Sequence, residues 1–183
     1  FIIQSTSSIM KIPPIILLLI CHLCLCAQGQ LRLPNIFGSQ MVLQRDKPVR
    51  IWGWAENEKD VTVSFSGQEK TITSGKDGKW LITLKAMEAN ATGQFLKVKS
   101  GDLSITYENI LVGDLWVCGG QSNMEWRLRS SRDADVEIPS ARYPAIRFIR
   151  IEPEGLPEPR EDFPAENGAG TWQTCSPETI GDC

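Results

Sequence analysis

Ser122 is the side chain of this sequence best placed to do chemistry. It lies in Asn109-Ile110-Leu111-Val112-Gly113-Asp114-Leu115-Trp116-Val117-Cys118-Gly119-Gly120-Gln121-Ser122-Asn123-Met124-Glu125-Trp126. The apolar run Ile110 to Cys118 has the length and bulk of a buried strand, and Gly119 and Gly120 then break it. The polar tripeptide Gln121-Ser122-Asn123 follows and opens onto an expected helix. A serine held between a strand end and a helix start can act as a nucleophile. The backbone N–H groups there lack intrahelical partners, and the helix dipole favours negative charge. The competing reading is a tight strand-to-helix turn with Ser122 as a structural cap.

A serine nucleophile needs a base, which contributes on the order of 10²–10⁴ in rate. The single histidine is His22, and no lysine occurs after Lys99. A Ser–Lys arrangement built from later residues is therefore excluded. Asp133, Asp135 and the acids from Glu152 to Glu166 remain, but an unassisted carboxylate is a poor base for a hydroxyl. Either Ser122 is structural or its base lies beyond Cys183. Gly120-Gln121-Ser122-Asn123-Met124 lacks the second glycine of the Gly-x-Ser-x-Gly elbow, and Ser122 has no lysine three residues on. Neither a phosphate-binding glycine loop nor a metal-ligand cluster is present, so no cofactor and no metal are expected.

The elements that must carry this turn differ on its two sides. From Leu31 to about Ile110 short β-rich runs recur, at Met41–Gln44, Val49–Trp54, Val61–Ser66, Glu69–Thr73, Trp80–Leu84, Phe95–Lys99 and Ile105–Tyr107. Val61, Val63 and Phe65 alternate with hydroxyl residues, and Ser66-Gly67, Lys76-Asp77-Gly78-Lys79 and Ser100-Gly101-Asp102 supply turns. Runs at this spacing predict a small β-sandwich. Trp52, Trp54 and Trp80 offer a sugar-stacking platform, against the commoner reading as sandwich core. Asn90-Ala91-Thr92 is a glycosylation sequon, meaningful only in a eukaryotic secretory pathway.

After Ile110 the order is strand, helix at about Asp133 to Ala141, and a second strand at Ile146 to Ile151. That is the opening of an α/β domain. Glu152 to Gly170 has no periodicity and reads as an exposed excursion near a site mouth. Ser176-Pro177-Glu178-Thr179 forms a strong helix start. The sequence stops inside the next two turns, which predicts a truncated domain, because two strands and one helix cannot cover both faces of a parallel sheet.

The ends and the composition bound the partners. Met10-Lys11, the apolar run Ile12 to Cys26 and Ala27-Gln28-Gly29 predict a secretory signal peptide over residues 1–29, hence a secreted or periplasmic protein. Phe1 to Ile9 precede the candidate start methionine and can be upstream translated sequence. The run is short for a transmembrane helix, so stable membrane insertion is not expected. The remaining chain has 18 basic and 22 acidic residues once Lys11 is set aside from the 19 and 22 of the whole. A mildly acidic surface without a basic cluster argues against nucleic acid as a partner. Cys118, Cys175 and Cys183 remain, enough for one bridge that the spacing does not assign.

Gly113 to Trp126 closely resembles the nucleophile block of the sialate O-acetylesterase family of SGNH hydrolases. Leu33-Pro34-Asn35-Ile36-Phe37, Met41-Val42-Leu43-Gln44-Arg45 and Trp52-Gly53-Trp54-Ala55 resemble its N-terminal β domain, and Trp172, Cys175 and Ser176-Pro177-Glu178-Thr179 match its continuation. The sequence departs from the pattern at Gly181-Asp182-Cys183, where a more apolar helix face is expected. The resemblance implies a multidomain β plus α/β protein: a β-sandwich over 30–109, then the truncated start of a flavodoxin-like SGNH domain over 110–183. It implies a serine esterase removing O-acetyl groups from sialic acids or related acetylated sugars through an acyl-enzyme. Ser122 would be the nucleophile and its backbone N–H an oxyanion donor. The family's other donors and its Asp-x-x-His pair match nothing here, so the fragment alone should be nearly inert. Gln121 and Asn123 would shape the turn and contact substrate. Arg127, Arg129 and Arg132 could meet a sugar carboxylate but read more simply as solvated, and Asp114 as a partner of nearby backbone. An acetylxylan-type esterase fits the same serine block, and a non-catalytic carbohydrate-binding module is the reading from another class.

Overall fold

The computed structural model describes residues 30–152, 158–165 and 170–183. The expected signal peptide, with His22 and three of the cysteines, lies outside them. The described chain is mostly β: β1 (Val42–Gln44), β2 (Val49–Trp54), β3 (Asp60–Phe65), β4 (Gln68–Thr73), β5 (Lys79–Leu84), β6 (Asn90–Ser100), β7 (Leu103–Gly113), α1 (Ala134–Ser140), β8 (Tyr143–Ile149) and β9 (Trp172–Cys175). A five-stranded mixed sheet has the order β1-β7-β6-β3-β4, in which only β1 and β7 run parallel. β2 and β5 form a separate antiparallel pair, and β8 and β9 another.

Alternation explains why these residues form these strands. On β2, Val49 and Ile51 point inward, and on β5 Trp80, Ile82 and Leu84 do the same; on β3 it is Val61, Val63 and Phe65. These side chains meet Leu96, Val98, Ile110 and Val112 of the larger sheet in one hydrophobic core. Each fully buried aliphatic or aromatic side chain contributes about 1.5–3 kcal/mol relative to exposure. The β3–β4 hairpin closes with Ser66 and Gly67 at φ 49° and 71°, the left-handed pair that a two-residue turn needs to match strand twist.

The region after β7 departs from expectation. The strand expected over Ile110–Cys118 is instead the end of a longer one: β7 starts at Leu103 and stops at Gly113. Asn109, at φ 57°, sits where the β6–β7 register slips between Tyr107 and Ile110, and this bulge lets Ile110, Leu111 and Val112 all be buried. From Asp114 to Gly120 the chain has no strand partner among the described residues and is exposed, with Trp116 at 86% and Val117 at 99%. An apolar run does not make a strand without a neighbour to accept its backbone bonds and cover its side chains.

Beyond the turn, the expected helix is one 3₁₀ turn, Ser122–Glu125. The helix expected at Asp133–Ala141 is α1, launched from Asp133 at φ 60°. The second strand is β8, but it pairs antiparallel with β9 and not with β7, so the strand–helix–strand unit builds no parallel sheet among the described residues. Ser176-Pro177-Glu178-Thr179 forms a turn followed by a 3₁₀ turn, Ile180–Asp182. Its start is closed by Thr179, whose Oγ1 accepts from the Ser176 N–H at 3.1 Å. Among the described residues no helix is long and apolar enough to cross a membrane.

Candidate active site

β1 and β7 hold the beginning of the serine-bearing stretch. Their parallel register ends with Gln44 beside Gly113. The Arg45 N–H donates to the Gly113 carbonyl at 2.9 Å, and Gln44 Oε1 accepts from the Leu115 N–H at 3.0 Å. Arg45 Nε donates to Asp114 Oδ1 at 3.0 Å. Asp114 was expected to bond nearby backbone and is instead an ion-pair partner of Arg45, which also meets Asp46. The chain therefore leaves the sheet in a direction set by the last residues of β1. Seven residues after Leu115 comes Ser122.

Ser122 is exposed and is the first residue of its 3₁₀ turn. The capping reading does not hold, because the cap position is Gln121 and no side-chain cap bond is made. Among the described residues no acceptor or donor engages the Ser122 hydroxyl. The Met124 N–H donates to the Gln121 carbonyl at 2.8 Å and shapes the turn from its backbone. Gln121 and Asn123 are exposed on either side of the serine. The turn is too short to carry a helix dipole of consequence, so the dipole argument for the oxyanion fails here. What remains is the unpaired N–H at the helix start. Gly119 has open space around it, and a Cβ on Gly120 would press on Met124 Cγ at 2.7 Å, the flexible part of a side chain.

The charged neighbours are accounted for. Arg127 and Arg129 both meet Asp182, at 3.3 and 2.6 Å, and Arg132 meets Asp133 at 3.6 Å. Arg127 and Arg129 tie the 3₁₀ turns to the chain end, whereas Arg132 is solvated beside its sequence neighbour. Cys118, Cys175 and Cys183 are free thiols. Burial, then the nearby Cys175 and Cys118, raise the Cys183 thiol above its ordinary value. Among the described residues no group of three or more His, Cys, Asp or Glu side chains could hold a metal ion.

A second feature lies elsewhere. Residues 158–163, part of the stretch expected as an exposed excursion near a site mouth, are tied to the start of the β region. Asp162 Oδ1 accepts the Asn35 N–H at 2.9 Å, Asn35 Nδ2 donates to the Phe163 carbonyl at 2.6 Å, and Arg32 reaches Asp162 at 3.5 Å. Lys79 pairs with Glu161, whose hydrogen bond and charge raise the lysine above its usual value. Burial raises the Tyr107 phenol, helped by the Asp162 charge. Between this segment, Trp52 and Ile36 lies a cleft of about 420 Å³. Ser122 does not line it. The sequence offered Trp52 as part of a sugar-stacking platform and the 152–170 stretch as lying near a site mouth, but not that the two share one cleft. Trp80, by contrast, is core, and Trp54 carries the Arg32 guanidinium 3.6 Å over its ring.

Comparison with known proteins finds this mostly-β chain similar to esterases of acetylated sugars. It is a relative of the sialate O-acetylesterases. It is 27% identical to the human sialate O-acetylesterase over 161 residues, which are 82% of this chain and 30% of the human protein. With the mouse sialate O-acetylesterase the identity is 29% over 148 residues, 75% of this chain and 27% of that protein. A carbohydrate acetylesterase from Xanthomonas citri superposes with a TM-score of 0.78 at 29% identity, covering 82% of this chain and 34% of that one. The chain thus spans about 30% of the human relative's length. No protein-family model matches it.

Proposed function

We propose that this chain is the nucleophile-bearing part of a secreted serine esterase that removes O-acetyl groups from sugars. The carrying observation is the coincidence of two facts. Ser122 stands exposed with no partner for its hydroxyl among the described residues, and the relatives matching over 82% of the chain are acetylesterases. In this reading residues 30–109 form a β-sandwich domain and 110–183 open an SGNH hydrolase domain, behind a signal peptide at 1–29. Ser122 attacks the acetyl carbonyl, its Oγ displaces the sugar oxygen, and water then releases acetate from the acyl-enzyme. The Ser122 N–H is one oxyanion donor, and Gln121 and Asn123 orient the sugar. With His22 as the sole histidine and no lysine after Lys99, the base and further donors come from the part of the longer relatives that this chain does not span.

Sialic acids are the substrate that the mammalian relatives' name suggests. Acetylated polysaccharide such as xylan is the second reading, compatible with the similarity to a carbohydrate acetylesterase. The test uses the protein extended to its relatives' length, assayed on p-nitrophenyl acetate. Ser122→Ala should lower kcat by about 10³-fold or more, as loss of a serine nucleophile does elsewhere. A loss below about tenfold would remove Ser122 from the mechanism. Acetate release from 9-O-acetyl sialic acid against acetylated xylan separates the substrates.

A further inference from the structure

We propose that the cleft between Trp52 and the 160–163 segment is a binding subsite for an uncharged pyranose ring, separate from the Ser122 turn. Its volume of about 420 Å³ falls within the roughly 300–1,000 Å³ of small-molecule sites. Trp52 supplies the platform. Alternation on β2 turns it outward, between inward-facing Ile51 and Gly53, and 38% of it is exposed. The buried Phe37 ring holds it edge to face, with centroids 4.7 Å apart at 73°. An indole fixed from behind and open in front offers its apolar face at little entropic cost. Pro34, Ile36 and Ile151 extend the apolar lining.

The polar rim decides the charge of the ligand. Three carboxylates line the cleft, and each has a cation of its own: Asp162 with Arg32, Glu161 with Lys79, and Glu152 with Arg150. Their negative charge is met before any ligand arrives, so the rim does not call for a cationic ligand. The carboxylate oxygens remain strong, positionally fixed acceptors for hydroxyl donors. Arg160, the one basic side chain of the lining, is itself engaged, so the rim offers a sugar carboxylate no free cation to meet it. An apolar face to stack on indole, with hydroxyls around its edge, describes a neutral pyranose.

The choice of sugar as ligand class rests on the acetyl-sugar reading, whereas the position and charge preference rest on this cleft alone. The experiment titrates the 183-residue chain with xylotetraose, cellotetraose and N-acetylneuraminic acid, read by saturation-transfer NMR and calorimetry. The neutral oligosaccharides should bind and the sialic acid should bind at least tenfold more weakly. Trp52→Ala should cost more than tenfold in affinity in a chain that circular dichroism shows to be still folded. Trp52→Phe should retain most of the binding, and Phe95→Ala, an exposed aromatic on β6, should change nothing. Equal binding of the charged sugar, no binding of any of the three, or indifference to Trp52→Ala in a folded chain would each overturn the proposal. Because Ser122 lies outside the cleft, loss of the esterase reading in the Ser122→Ala assay would show itself separately.

Discussion

A side chain at position 53 has nowhere to go. A Cβ there would collide with the Arg32 carbonyl oxygen and press on the Trp80 ring at 3.1 Å. Gly53 is what lets Arg32 and Trp54 exchange backbone bonds at 2.8 Å in both directions, sealing the first residues of the β region against β2. Gly53→Ala is therefore expected to lower stability by about 1–3 kcal/mol, read as a fall of several degrees in thermal melting. A melt unchanged from the parent would mean that the Arg32 strand is not held there. Ser122 was legible because its case is local: glycines, a hydroxyl and an apolar run in sequence. Asp162 was not, since its partners Asn35 and Arg32 lie 127 and 130 residues away. Acidic residues in a proline-rich stretch carry no mark of the amide they will accept.

Strands were readable wherever alternation was enforced by a shared core. β2 falls where its pattern predicts, and β3 and β5 lie within a residue of their expected bounds, because each has one buried and one wet face; β4, exposed along nearly all its length, is held to its expected place by its hairpin with β3. The apolar run from Ile110 was not readable in the same way. Its first half belongs to a strand that already began at Leu103, and its second half finds no strand to pair with among the described residues. Local hydrophobicity says that a segment wants cover; only the rest of the chain says whether cover arrives. What was also hidden is that the short β1 steers the exit from β7. Gln44→Ala removes the acceptor of the Leu115 N–H. The expected result is faster hydrogen exchange at Leu115, by up to about tenfold for a bond worth about 0.5–1.5 kcal/mol. Global unfolding should be little changed. Unaltered protection at Leu115 would show that the Arg45 contacts suffice to hold the exit.

At the scale of the molecule, the two sides of Gly113 differ in how much apolar surface they hide. Before it, the inward faces of two sheets share one core. After it, Leu115, Trp116, Val117, Met124 and Trp126 stand exposed at 42% to 99%, followed by Val136, Tyr143 and Ile146 at 53% to 64%. Contiguous apolar patches beyond a few hundred Å² are uncommon on soluble monomers and bind other apolar surfaces when present. The 183-residue chain is therefore expected to bind a hydrophobic dye such as ANS while still folded and to associate as its concentration rises. Trp116→Lys with Val117→Lys should reduce both signals severalfold without moving the melting curve, because side chains this exposed contribute little to stability. Dye binding that survives the double substitution would locate the sticky surface elsewhere. A melting curve that falls with it would mean that these side chains are buried in solution. That second outcome alone would call for a new placement of the serine turn, since the exposed strip and Ser122 belong to the same stretch of chain.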